Sequence, residues 1–392
     1  MQKAFFALLC ATLLIFANCL HKTTLVEKGN AEQTLHIGNQ VEPQDLDPQI
    51  ITGVQEFRIV SALFEGLTIL DPKDLHPLPG AAERWMVSKD GLTFTFFLRK
   101  NGKWSNGDPV IASDFIFSFK RILSPGLASE YSYMLYCIKN AEAFNKGTVK
   151  DFSRVGVSAP DDTTLIVFLS KPTPYFLSLI SHSSLFPVNP KTILKFGTFD
   201  ERGTKWTRQE NLVGNGPFML DKWQLLTLIE LKKNPFYWDH ANVKLNRICF
   251  YPIDNTQTEE RAFRTGQLHV TTSLPLNKIE WYKAHNPGAL RLDPYLATYF
   301  YLVNVNRPPF NDPRVRTALS MAIDRQSIVK NILKGGQIPA YCFTPPNTGG
   351  YSCPPTLRFD TTEARRLLAE LALQSRFRRL ACSIIPPKRT IP

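Results

Sequence analysis

From Thr93 to Lys100 the chain alternates, with Phe94, Phe96 and Leu98 set against Thr95, Phe97 and Arg99. A phenylalanine on each face predicts a strand packed on both sides. Asn101-Gly102 and Asn106-Gly107 then read as turns. Ser113 is expected as an N-cap, and Phe115, Phe119 and Ile122 recur at helical spacing until Ser124-Pro125-Gly126 stops the run. The aromatic residues of this stretch are therefore expected to be core.

The same mixed pattern continues. Asp161-Asp162 is a turn into a strand over Thr164 to Leu169, and Pro174 opens a helix ending near His182. After Gly214-Asn215-Gly216-Pro217, two short strands are expected to flank Trp223. A strand from Arg247 to Tyr251, a helix with Thr256 and Glu259 in capping-box register and Gly266 as its stop, and a strand from Leu268 to Thr271 make a βαβ unit. Part of the sheet is therefore expected to be parallel. Further on, Thr298 to Asn304 reads as a strand, Asp312-Pro313 and Asp324 as helix starts, and Gly335-Gly336 as a helix end. Interleaved strands and helices without an internal repeat place the fold in the mixed α/β (α+β) class.

The length of 392 residues, with 43% apolar content, suits two or three domains with real cores. The first nineteen residues stand apart: Lys3 carries charge, Ala4 to Ala17 is an unbroken run of apolar and small residues, and Asn18-Cys19 comes next. This is the layout of a secretory signal, too short to span a bilayer comfortably. Cys19 sits where a bacterial lipoprotein signal places its acylated cysteine, and acylation and ordinary cleavage both stay open. The mature chain is expected to be exported, either periplasmic or held at the membrane by lipid. In that oxidising setting Cys342 and Cys353, across a Pro/Gly-rich loop, either pair or remain two thiols. No C-x-x-C pair occurs to support a zinc or thioredoxin-type site.

Net charge is +12, but Arg376, Arg378, Arg379, Lys388 and Arg389 supply +5 of it from the last eighteen residues, leaving +7 dispersed among carboxylates. Nucleic acid is therefore not expected as a partner. The sequence also lacks G-x-S-x-G, H-E-x-x-H, G-x-x-x-x-G-K-[ST] and G-x-G-x-x-G, and no two histidines stand four residues apart. Ser327-Ile328-Val329-Lys330 fits S-x-x-K, without the companion motifs S-D-N and K-T-G. Glu259-Glu260 and Asp161-Asp162 are explained by a helix and a turn. No catalytic set, cofactor or metal is indicated.

Six blocks carry a resemblance: EPQDLDPQ at 42–49, LFEGLTILDP at 63–72, LPGAAERWMVSKDGLTFTFFLRKNGKWSNGDPV at 78–110, GNGPFML at 214–220, KNPFYWD at 233–239 and RPPFNDPRVRTALSMAIDR at 307–325. In this order the chain resembles bacterial extracellular solute-binding proteins of the peptide class, the oligopeptide-binding components of ABC importers. The resemblance implies a periplasmic binding protein-like fold of the three-domain peptide-binding type. Domain I would comprise residues 33–70 and 190–296, domain II 71–189, and a partial domain III 297–371. It further implies an extended peptide held by its main chain, as an added strand, in a cleft closed by hinge motion. By position, Thr52, Gly53 and Val54 resemble the domain I segment that pairs with peptide backbone, the alternative being a plain loop. Tyr131 resembles a cleft tyrosine, with Tyr133 as the alternative, and Tyr295 another cleft wall. Within the resemblance, Ser273 stands where a relative carries asparagine, and Phe300 where that relative carries tyrosine.

The likeness fades after FDTTEARRLLAEL, so residues 372–392 are expected to be a non-homologous basic tail, with a reading-frame break near Ala372 and an incomplete domain III. The expected function is that of a monomeric oligopeptide-binding component serving ABC permease transmembrane subunits and their ATPase subunits. A dipeptide, murein peptide or nickel chelate is another ligand of the same site. The competing readings are a non-transporting remnant or surface interaction lipoprotein, and a hydrolase acting through Ser327 and Lys330.

Overall fold

The structure is a computed structural model that describes residues 23–372, apart from 294, 347, 355 and 356. Cys19 and the tail beyond Ala372 lie outside the described residues. The chain divides into two compact units, one through Ser273 and one from Leu274.

In chain order the first unit holds α1 (Leu25–Glu32), β1 (Thr34–Gly38), α2 (Val54–Leu63), β2 (Thr68–Leu70), β3 (Pro77–Pro79), β4 (Ala82–Val87), β5 (Thr93–Leu98) and α3 (Ala112–Leu123). Then come β6 (Val157–Asp161), β7 (Thr164–Phe168), β8 (Phe218–Gln224), β9 (Leu228–Lys233), β10 (Arg247–Tyr251) and α4 (Thr256–Arg264). Short helical turns join them.

Two cores form. In the first, the antiparallel sheet β4-β5-β7-β6 turns Phe94, Phe96 and Leu98 inward onto Phe115, Phe119 and Ile122 of α3. On the other face of β5, Phe97 lies under the Arg84 guanidinium, 3.6 Å from its ring centroid. In the second, the sheet β1-β10-β9-β8 packs with Ile59, Val60 and Leu63 of α2 around Phe64, Trp206 and Phe250. Here β1 runs parallel to β10, with Thr34 opposite Arg247 and Gly38 opposite Tyr251. On its other side β1 bridges Val270 through Ile37, also parallel. The parallel pairing expected of the βαβ unit is therefore made by β1 with β10, and the second arm is reduced to the single Val270 bridge on β1.

Several local expectations shift. The α3 N-cap is Ile111, not Ser113: the Asp114 carboxylate reaches back to accept the Ile111 amide at 3.1 Å and the Trp104 indole N–H at 2.9 Å. Asn255 caps α4, accepting from the Thr258 amide at 2.9 Å, and Glu259 is drawn away from the cap to Thr272. The helix after Pro174 is a single turn, Phe176–Leu179. Trp223 lies inside β8 rather than between strands. The segment from 268 to 271 keeps only the Val270 bridge, because β1 ends at Gly38 and the chain turns at Gln40 with φ +57°. Residues 298–304 form no strand: a strand needs a ladder partner, and none lies alongside among the described residues.

Arg121 joins the two cores. Fully buried on α3, it donates to Asp47 at 2.6 and 3.1 Å, to the Gln49 side-chain oxygen at 2.8 Å and to the Phe199 carbonyl at 2.7 Å. Gln49 returns a bond to the Ser118 carbonyl at 2.8 Å. A second tie is Glu65, whose buried carboxyl accepts from the Tyr237 hydroxyl at 2.5 Å and the Trp238 indole at 2.8 Å. Burial pushes the Glu65 carboxyl up to about 7, the two hydrogen bonds opposing.

The second unit has α5 (Pro313–Met321), capped by Asp312, packed on α6 (Thr361–Ala372) through Val315, Ala318, Ala364 and Leu368. Asp324 starts a short helix that continues as a wide turn over Ile328–Leu333. Cys342 and Cys353 are joined by a disulfide with Cα atoms 6.0 Å apart.

Replacing Arg121 with alanine strands the Asp47 charge in the interior, and a loss of about 3–5 kcal/mol is expected in denaturant unfolding. Glu65 predicts a pH dependence. Its folded-state value lies above the unfolded 4.5, so its stabilisation is complete below 4.5 and is lost as pH rises towards about 7. The expected change is on the order of 3 kcal/mol, and Glu65→Gln should flatten the stability profile over that interval.

Candidate ligand-binding site

The chain leaves β1 at Gly38 and the second core at Ile51, and between them it is anchored by Asp47 and Gln49. Beyond Ile51 the backbone surfaces: Thr52 and Val54 are exposed on either side of half-buried Gly53, the N-cap of α2. Gly53 supplies no side-chain cap, and the amides of Thr52, Gly53 and Val54 donate to no acceptor among the described residues. A helix start of this kind presents unpaired N–H groups on the surface. Glu56, in the first turn, faces inward. One oxygen accepts from the Gln44 amide at 3.1 Å, and a Cβ at Gly53 would lie 2.0 Å from the other.

One turn into α2, two neighbouring side chains diverge. Phe57 meets Tyr131 edge-on, with centroids 5.8 Å apart, and His182 at 5.2 Å, while Tyr131 and His182 lie 5.0 Å apart. Burial lowers the His182 pKa below and raises the Tyr131 pKa above their ordinary values, so both are neutral near pH 7. Tyr133 lies farther out, exposed, 6.5 Å from Tyr131.

On the other side, Arg58 donates to Asn39 Oδ1 at 2.8 Å, and Asn39 Nδ2 donates to the Gln55 carbonyl at 3.3 Å. Asn39 is fully buried and receives its own placement from a backbone bond to Tyr251 at 2.7 Å. Next to it, Gln40 donates to the Ser273 hydroxyl at 3.0 Å. Glu259, buried on α4, accepts from the Thr272 amide at 2.9 Å and hydroxyl at 3.0 Å. These groups gather at the carboxyl ends of β1, β10 and the Val270 bridge, where open α/β sheets place their ligands.

Thr52, Gly53, Val54, Tyr131 and Ser273 are thus brought to one region of the first unit. Tyr295 belongs to the second unit, 79% exposed, and Phe300 there packs edge-on against Phe343 at 4.8 Å. The Ser327 hydroxyl accepts from Asn331 at 3.0 Å. Asp71, Asp74 and His76 cluster in the exposed turn between β2 and β3 and bond mainly among themselves, with His76 Nδ1 2.5 Å from Asp74. Sequence reasoning missed Phe57, Arg58, Asn39 and His182. Phe57 and Arg58 had a signal, lying one turn beyond Gly53, whereas Asn39 and His182 arrive from distant segments.

Residues 76–383 match the family described as "Bacterial extracellular solute-binding proteins, family 5 Middle". The chain belongs to this family. Its members are solute-binding proteins, not enzymes. The match runs past residue 371, where the likeness was expected to end. The chain is 41% identical to the periplasmic oligopeptide-binding protein OppA of Salmonella typhimurium over 348 residues, 86% of this chain but 62% of that relative's length. Among solved structures, the murein tripeptide-binding protein MppA of Escherichia coli superposes with a TM-score of 0.82 at 32% identity, covering 88% of this chain and 67% of that one. Haemophilus influenzae OppA, solved in complex with the peptide RPPGFSPFR, gives 0.78 at 34% identity, covering 87% and 67%. The fold of this solute-binding protein is that of the peptide-binding periplasmic type. No helix among the described residues is long and apolar enough to cross a membrane.

Gly38 tests how tightly the polar side of this site is built. A Cβ there would fall 1.8 Å from Glu259 Oε1. Gly38→Ala is expected to displace that carboxylate from Thr272 and cost about 1–3 kcal/mol in thermal unfolding.

Proposed function

We propose that this solute-binding protein is the oligopeptide-capturing component of an ABC importer, exported by way of residues 1–19 and anchored through Cys19 where that cysteine is acylated. It binds an extended peptide chiefly by main-chain hydrogen bonds to Thr52, Gly53 and Val54. It passes its cargo to permease transmembrane subunits driven by their ATPase subunits. Tyr131 forms a wall of the site and Ser273 a polar contact.

The observation that carries this reading is the uncapped start of α2. Its free amides lie on surface backbone beside a preformed aromatic cluster, so a peptide carbonyl is taken up without breaking a bond already made. Recognition through amides rather than side chains fits a protein that accepts many peptide sequences. The names of its relatives, which include oligopeptide-binding and murein peptide-binding proteins, support the same ligand class.

Titrating the full chain with a mixed pool of tri- to pentapeptides should release heat and raise the melting temperature, by about 2.7 kcal/mol of stabilisation at a hundred-fold excess over Kd. Absence of both effects would remove the reading. Val54→Pro is the sharper variant. Proline is tolerated as the first residue of a helix, and Gly53 already has the extended backbone that a proline after it requires, with φ −88° and ψ 147°. Only a donor is lost. Peptide affinity should drop by roughly 2- to 10-fold while the peptide-free melting temperature is unchanged.

A further inference from the structure

We infer that Arg58 makes the site selective for ligands bearing a carboxylate near the first turn of α2. This rests on the peptide-binding reading above and names the chemical class that reading leaves open.

Arg58 comes four residues after Val54, so it lies on the same face of α2 one turn later, directly along the helix from the uncapped amides. Arg58 is half-buried. Of its five N–H donors, one hydrogen bond is accounted for, to Asn39 Oδ1, and it forms no ion pair among the described residues. Burial pushes its pKa below the ordinary value, with Glu259 acting in the opposite direction from a distance. Glu259 itself is committed to Thr272 by one oxygen, and Glu56, buried, accepts from Gln44 with one oxygen while its other lies beneath Gly53; neither contacts the guanidinium.

A partly desolvated cation without a contacting anion is unfavourable, and a planar fork with free donors is matched by a carboxylate. The guanidinium is also held in place by the protein itself. Asn39 fixes it and the Gln55 carbonyl together, and the fully buried Asn39 side chain has no freedom to release it. Arg58 therefore offers a pre-set anion contact opposite the neutral wall of Phe57, Tyr131 and His182. A ligand lying along Thr52–Val54 meets aromatic rings on one flank and a positive charge on the other. The carboxylate comes either from an acidic side chain or from the peptide's own C-terminus.

Calorimetric titration of the full chain with four tripeptides separates these sources: trialanine, its C-terminal amide, Ala-Asp-Ala amide and Ala-Lys-Ala amide. At least one carboxylate-bearing peptide should bind about ten-fold or more tightly than trialanine amide, and Ala-Lys-Ala amide more weakly still. A gain for trialanine identifies the terminal carboxylate, and a gain for Ala-Asp-Ala amide the side chain. Arg58→Gln should abolish the preference, so that within that variant the acidic peptide and trialanine amide bind alike, and Arg58→Lys should retain part of it. Should the glutamine variant not fold, the salt dependence of the unaltered chain decides. Affinity for the preferred acidic peptide should then fall with ionic strength more steeply than that for trialanine amide. Equal affinities across the series, or an unchanged preference in Arg58→Gln, would overturn the role of Arg58 and leave the peptide reading standing. No binding by any of the four would overturn both.

Discussion

The buried pairing of Arg121 with Asp47 and Gln49 is the contact on which the geometry of the first unit depends. Its guanidinium rises from a helix of one core and is spent mainly on a loop belonging to the other, with one further bond to the Phe199 carbonyl. A buried ion pair of this kind contributes little net stability compared with apolar packing, but it fixes a relative placement that packing alone leaves adjustable. The loop it holds ends at buried Ile51, so the next three residues emerge from a rigid base. Surface backbone that is firmly positioned is the requirement of a main-chain recognition site.

The same principle orders the rest of the site. Nothing in it has to move charge or break a covalent bond, and the polar groups are arranged to hold one another in place. Asn39 spans β1, β10 and α2, and Gln40 reaches Ser273. The aromatic group of Phe57, Tyr131 and His182 supplies a neutral surface whose protonation states are fixed by burial. Phe57 and Arg58 are adjacent in sequence yet face different surroundings, because about 100° separates consecutive residues around a helix.

Local pattern was legible where one segment decides its own fate. The alternation of Phe94 to Leu98, the helical return of Phe115, Phe119 and Ile122, and the stop at Gly266, with φ +70°, are all present as expected. Caps were less legible: α3 is capped two residues before Ser113, where Asp114 reaches back to the Ile111 amide, and Asn255 rather than Thr256 caps α4. The strand expected over residues 298–304 shows the limit: alternating aromatics specify readiness for a ladder, but the ladder itself depends on another segment. At the site, Thr52 to Val54 and Tyr131 were reached through family resemblance, not through any chemical signature. Asn39 and Arg58 meet only because β1 pairs with a strand more than two hundred residues away.

That pairing also sets the order in which the molecule can be made. Thr34 cannot find Arg247 until the ribosome has delivered nearly two thirds of the chain, whereas every residue of the core between Leu67 and Leu185 is available well before. Closing so long a loop carries an entropic penalty that nearer contacts avoid. The core between Leu67 and Leu185 needs no residue of β1, and once closed it shortens the effective loop that β1 must close. The N-terminal strand waits unpaired through most of synthesis.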